Sequence, residues 1–391
     1  MNETKKNNAI FKTLKAAYYP LFALLIALIL MAFIIKLMGY DPLNAYQVLF
    51  TSSIKSAYGW GETLAMAIAL IFSALSFSIA DRSGLINLGA SGQLYMGGIA
   101  GMLVATNFEG LPSIIHIPLV LIAGGLTGAA FGAIASLLKN QFGASEVVTT
   151  MMFNYIAMHF CTYLISGPMK NPASDLAQSK SALPSAVLPL LLKGTRLHAG
   201  IFIAIAAILF YYILMYHTTV GYQMRVVGMN PKVGEYAGLK IKTNQLLAMA
   251  IAGGMAGLGG AIQATVIDVR LTIDWVGNLG FDGLAVAFLG GHSPIGIAIS
   301  SVFFGLLLSS ANKMEMLAKV PSSVVFLFQG IIIALIIGRR IFQLGLIAKW
   351  KSNYQNKKSE ASDLLEMTRD AEKTKQDALA LKQMTKKGSE E

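Results

Sequence analysis

Three carboxamide side chains stand inside apolar runs of this chain. Asn87 and Gln93 fall in GLINLGASGQLYMGGIAGMLVA, residues 84–105, and Asn154 falls in VVTTMMFNYIAMHFCTYLIS, residues 147–166. Lipid offers an amide no partner, so each must face protein or water. Asn87 and Gln93 read as lining a polar path, and Asn154 as lining a cavity or bonding a neighbouring helix. A second group lies in the polar insert QMRVVGMNPKVGEYAGLKIKTN, residues 223–244, between two long apolar blocks. There Asn230 can accept an orphan backbone N–H, Pro231 suits a first helical turn and Gly238 stops the helix. A short helix over residues 231–237 follows, with Val233, Tyr236 and Ala237 to one side, Lys232 and Glu235 exposed, and Arg225, Lys240 and Lys242 flanking it. It reads as a docking surface or as a solvated connector.

Other chemistry is missing. No GxxxxGK[ST] occurs, and Gly234 and Gly238 followed by Leu239 and Lys240 have the wrong spacing for a phosphate cradle, so ATP hydrolysis is not expected of this chain. His116, His159, His198, His217 and His292 form no paired ligand spacing and are expected at interfaces or in packing. No nucleophile, base and orienting group fall together in the deep segments. Few ionisable residues lie at membrane depth, which gives a proton or sodium relay little support.

The elements that carry these residues follow from composition. Of 391 residues 55% are hydrophobic and 13% charged, with a mean hydropathy of +0.60. That is an all-α, polytopic membrane protein, not a soluble domain. The single cysteine, Cys161, excludes an internal disulfide framework. A formal charge of +11 sits mainly in the leader, loops and tail, which membrane orientation explains without nucleic acid.

About ten spans are expected, with both termini inside. Residues 1–15 form a basic cytoplasmic leader, 16–346 the transmembrane domain with the insert as its cytoplasmic loop, and 347–391 a cytoplasmic polar tail. Spans are read at 16–38, 63–80, 84–105, 118–138, 147–166, 201–216, 245–266 and 324–337 with an extension to 346. Residues 39–61 read as a less apolar outer segment, and Asp81 with Arg82 as a very short inner turn. Residues 280–290 and 295–311, joined by GGHSP, read as foreshortened or re-entrant helices, and 312–321 as an outer loop. Gly124, Gly128 and Gly132 share a helical stripe, Gly97 and Gly101 repeat that spacing, and AGGMAGLGG at 252–260 demands very close helix approach or an irregular backbone. The long loop 167–200 is placed outside, with an outer-surface helix over 186–192 as an option. Glu146 begins the fifth span.

GLINLGASGQLYMGG at 84–98, EVVTTMMFNYIA at 146–157, RVVGMNPKVGEYAGLKI at 225–241 and GLAVAFLGGHSPIGIAISSVFFG at 283–305 together resemble the permeases of bacterial ABC importers for simple sugars, branched-chain amino acids and nucleosides. The likeness is greatest to the larger permease subunit of nucleoside, chiefly purine nucleoside, importers, and runs from about the second span to the last. It implies a second permease in a heterodimer, cytoplasmic ATPase subunits that bind the ATP, an extracellular substrate-binding lipoprotein and no cofactor on this chain. It also implies a coupling segment at Arg225, Gly228, Asn230, Pro231, Ala237 and Gly238, to which Glu235 and Tyr236 belong by position. The bacterial plasma membrane is the implied location. The tail departs from the compact family pattern. The alternatives are a permease of the same family for monosaccharides or branched-chain amino acids, a passive channel, which would not need the insert, and a membrane enzyme, which would need a reactive cluster.

Overall fold

The computed structural model describes residues 22–341. The expected leader 1–15, the start of the first span, the extension 342–346 and the tail 347–391 lie outside the described residues. The chain divides into two compact units at Ala334–Leu335, and of the second only the end of one helix is described.

Thirteen α-helices are present among the described residues: α1 Phe22–Leu37, α2 Pro42–Ile54, α3 Ala57–Arg82, α4 Ala90–Asn107, α5 Ser113–Phe142, α6 Glu146–Ser166, α7 Gly200–His217, α8 Thr219–Met229, α9 Pro231–Tyr236, α10 Ile241–Ile262, α11 Leu279–Leu289, α12 Pro294–Ala318 and α13 Ser323–Ile341. Five are long and apolar enough to cross a membrane: α3, α5, α7, α10 with its following turn, and α12. The fold is all-α and polytopic.

Helix starts follow side chains that accept orphan backbone N–H groups. Asp41 takes the Leu43 N–H at 3.0 Å, Ser56 that of Gly59 at 2.9 Å, Thr218 that of Gly221 at 3.1 Å and Ser293 that of Gly296 at 3.1 Å. Several sequence boundaries move as a result. Residues 42–54 of the expected outer segment form helix α2, and α3 begins at Ala57 and runs through Asp81 and Arg82 instead of turning there. Residues 312–318 of the expected outer loop continue α12.

Helix α3 is largely buried beyond its first turn and packs against α2, α7, α10, α11 and α12. Beside it, α4, α5 and α10 meet backbone to backbone at the glycines whose spacing marked them. A Cβ on Gly257 would lie 2.8 Å from the Gly128 Cα, and one on Gly97 would lie 2.6 Å from the Gly257 carbonyl carbon. Helix α10 stays regular through its glycine run, so close approach is the reason for that run. It ends in a single π-helical turn, Gln263–Ile267.

The long loop after α6 is fastened at many points. The Ala182 N–H bonds the Val269 carbonyl at 2.8 Å, and the Leu183 N–H bonds that of Ala105 at 3.0 Å. The Arg196 Nε and backbone N–H both bond the buried Glu62 carboxylate, at 2.7 and 3.1 Å. The optional helix over 186–192 does not form. Only the 3-10 turn Pro184–Ala186 does, and beyond it Leu190 pairs with His198 as an isolated antiparallel bridge. Pro184 and Pro189 bound the stretch, and a strand-like pairing leaves no helical partner for its backbone.

Candidate functional site

The insert is more helical than its composition announces. Helix α8 already covers residues 223–229, the single extended residue Asn230 redirects the chain, and α9 follows. The Asn230 carboxamide accepts the N–H groups of Lys232 and Val233 at 3.0 and 3.4 Å, Pro231 is the first helical residue, and Gly238 ends the helix at φ +74°. Ala237 is the C-terminal capping residue, one short of the expected helix end.

What α9 buries is Gly234, set against Val227 of α8. What it presents is everything else: Tyr236 is 92% exposed, Val233 53%, and Pro231, Lys232, Glu235, Ala237 and Gly238 are exposed as well. Beside it lies an open cleft of about 520 Å³ lined by Lys139, Asn140, Glu235 and residues 239–243. Lys139 pairs with Glu146 at 2.9 Å, and Glu146 is the first residue of α6, as its dipole preference implies. Arg225 is half-buried, with its guanidinium carbon 5.4 Å from the Tyr216 ring centroid.

Beneath the exposed helix sits a rigid seat. A Cβ on Gly228 would lie 2.8 Å from the Gly84 nitrogen and from the Ser83 carbonyl carbon, so α8 rests directly on the backbone that leaves α3. Gly84 takes φ +73° there, and the chain stays non-helical until α4 starts at Ala90. The expected span 84–105 is therefore broken at its start and closely packed along its length. The turn between α11 and α12 joins the same seat. Arg82 Nη2 donates to the His292 carbonyl at 3.2 Å, the Tyr211 hydroxyl donates to that carbonyl at 2.8 Å, and the His292 ring reaches Ser78 and Asp81 at 3.3 and 3.4 Å.

The three amides meet at this joint. Asn87 Nδ2 donates to Gln93 Oε1 at 3.0 Å and to Ser76 Oγ at 3.1 Å, and Gln93 Nε2 returns a bond to Asn87 Oδ1 at 3.2 Å. Both side chains are buried. Asn154 is half-buried on α6 and clamps the other side of the break, accepting the Gly92 N–H at 2.7 Å and donating to the Leu88 carbonyl at 2.8 Å. The two groups of candidate residues are thus distinct patches joined through residues 84–89.

A family described as "Branched-chain amino acid transport system / permease component" matches residues 60–337. The chain belongs to this permease family. The nucleoside ABC transporter permease protein NupB of Lactococcus lactis subsp. cremoris is 37% identical over 78% of this chain and 89% of its own length. The guanosine ABC transporter permease protein NupP of Bacillus subtilis is 34% identical over 83% of this chain and 93% of its own length. The glucose ABC transporter permease protein TsgB13 of Haloferax volcanii is 29% identical over 83% of this chain and 88% of its own length. No solved structure matches the chain. The permease is a multi-pass membrane transport component and not an enzyme, and the matched region begins inside α3, as the motifs in the sequence imply.

The sequence reading missed several partners. Ser76, which completes the amide network, is one serine among many in an apolar run. The ties of Arg82 and Tyr211 to His292 join positions 81 residues or more apart. Asp282, a lone acid within the short apolar run 280–290, is a signal legible in the sequence.

Proposed function

We propose that this permease is the membrane-spanning subunit of an ATP-driven importer that passes nucleosides by alternating access. Its partners are a second permease in a heterodimer, separate cytoplasmic subunits that bind and hydrolyse the ATP, and an extracellular substrate-binding lipoprotein. Both termini face the cytoplasm of a bacterial cell. Residues 16–346 form the transmembrane domain, and 1–15 and 347–391 its cytoplasmic extensions.

The observation that carries the reading is the pairing of an exposed, side-chain-capped helix α9 with a backbone-on-backbone seat under α8. A helix so built can be pushed as one body, and the push arrives at the break before α4. Arg225, Gly228, Asn230, Pro231, Glu235, Tyr236, Ala237 and Gly238 make up the coupling element. Asn87, Gln93 and Asn154 edge the path at the joint, where a neutral solute exchanges for the bonds that Asn87 and Gln93 now make with each other and that Asn154 makes with the backbone of residues 88 and 92. The nucleoside assignment rests on the likeness to NupB and NupP, and the likeness to TsgB13 makes a sugar the reading to test against it.

The test is uptake of radiolabelled guanosine, ribose and leucine by cells lacking the gene and by cells in which it is restored. Loss of guanosine uptake alone, rescued only with an active partner ATPase, is the expected result. A fall in ribose or leucine uptake alone would overturn the substrate and leave the importer standing, and no change in any would overturn the importer.

A further inference from the structure

Helix α11 is 11 residues long, about 16 Å, roughly half of what a bilayer core requires. It is reached through the non-helical residues 268–278, which descend into the bundle: the Tyr95 hydroxyl donates to Asp274 at 3.1 Å, and Trp275 packs on Gly98. Tyr95 and Gly98 lie in the first half of α4, so α11 starts within the height of the bundle and not at its edge. Two non-glycine residues of that descent, Val269 and Asp274, hold left-handed backbone at φ 60° and 55°, a strain that persists where surrounding structure fixes the conformation.

In the first turn of α11 stands Asp282, 6% exposed. Its backbone N–H bonds the Asn278 carbonyl at 2.9 Å, but among the described residues no donor or cation reaches its carboxylate. Next to the same turn, Ser91 of α4 abuts Gly280, and its hydroxyl is also buried without a partner. A carboxylate so little hydrated and left without a partner among the described residues is disfavoured in its ionised form, and a solute that offers donors would supply the missing bonds. A metal ion fits poorly, because no group of three His, Cys, Asp or Glu gathers among the described residues. A carboxylate has two acceptor oxygens and no donor, which is the complement of two adjacent donors on a neutral solute.

We infer that Asp282 is a solute-binding residue that accepts a pair of hydrogen bonds from two neighbouring donors of the transported molecule. This rests on the nucleoside reading above, where such a pair exists twice: the 2′,3′-hydroxyls of ribose and the N1–H with the 2-amino group of guanine.

The experiment uses the complete transporter with its partner subunits in proteoliposomes and measures uptake of guanosine, 2′-deoxyguanosine and inosine by wild type and Asp282→Asn. The variant keeps the shape and removes the charge. The expected result is a rise of about tenfold in KM for guanosine, with ATP hydrolysis intact and one analogue indifferent to the change. Indifference of 2′-deoxyguanosine assigns the contact to the ribose, and indifference of inosine assigns it to the base edge. An equal loss for all three, or no loss, overturns the inference. A wild type that transports none of them while hydrolysing ATP overturns the nucleoside reading itself. Should Asp282→Asn fail to fold, labelling of the wild-type carboxyl by a hydrophobic carbodiimide decides. Protection by guanosine and not by one of the analogues supports the contact, and absence of protection refutes it.

Discussion

The glycines of α10 and the glycines of the insert do opposite work. Gly253 and Gly257 bring α10 onto α5 with no side chain between them, so the two helices move together or not at all. In α9 and its flanks, Gly238 only ends a helix whose faces are exposed, and a Cβ there would meet nothing. Gly228 stands between the two cases. It belongs to the exposed insert, yet it is packed as closely as Gly253 and Gly257 of the core. The difference separates a rigid body from a handle and marks a residue where the handle is fixed to the body.

Breaking the core should have the largest effect. Gly257→Leu forces α10 and α5 apart and is expected to cost about 3 kcal/mol or more, seen as loss of folded protein by size-exclusion chromatography in detergent. A folded, fully active variant would show that the α5–α10 contact is looser than its geometry. Next in size, Gly228→Ala places a methyl group against Ser83 and Gly84. Uptake should fall about tenfold, equivalent to 1.4 kcal/mol of coupling, while ATP hydrolysis by the assembled transporter continues. A proportional fall in both would make the contact merely structural.

Asn230→Ala should be smaller. Removing the cap costs about 1 kcal/mol of α9 stability, expected as faster hydrogen exchange confined to residues 231–238 and a severalfold loss of uptake. Slower exchange, or exchange changed across α10 as well, would erase the distinction between handle and body. The smallest effect on the chain itself belongs to Tyr236→Ala. An almost fully exposed side chain should change thermal stability by less than about 0.5 kcal/mol, yet weaken co-purification of the ATPase subunits. Unchanged co-purification and uptake would remove Tyr236 from the coupling element.

Local signals in the sequence were dependable where the physics is local. The Asn230, Pro231 and Gly238 punctuation places α9 to within one residue, and the glycine stripes of α4, α5 and α10 announce the contacts they make. Boundaries failed where a cap or a neighbour overrides hydropathy. Moderate hydropathy marks residues 39–61 only as an outer segment and gives no helix there, although Asp41 and Pro42 mark the start of α2. Hydropathy likewise gives no helix over the first half of the insert, although Thr218 caps α8.

The sequence by itself determined the class, the long apolar helices, the short capped helix of the insert and the kinship, because composition, periodicity and capping are properties of residues close in the chain. Only the tertiary structure decided that Asn87 and Gln93 bond each other and Ser76, that Gly228 sits on the backbone of residues 83–84, and that Asp282 is buried with no donor among the described residues. Those facts depend on which helices lie side by side. In a chain whose apolar faces are nearly interchangeable, that choice is made by shape and by the placement of a few polar groups, and neither can be read along a single strand of sequence.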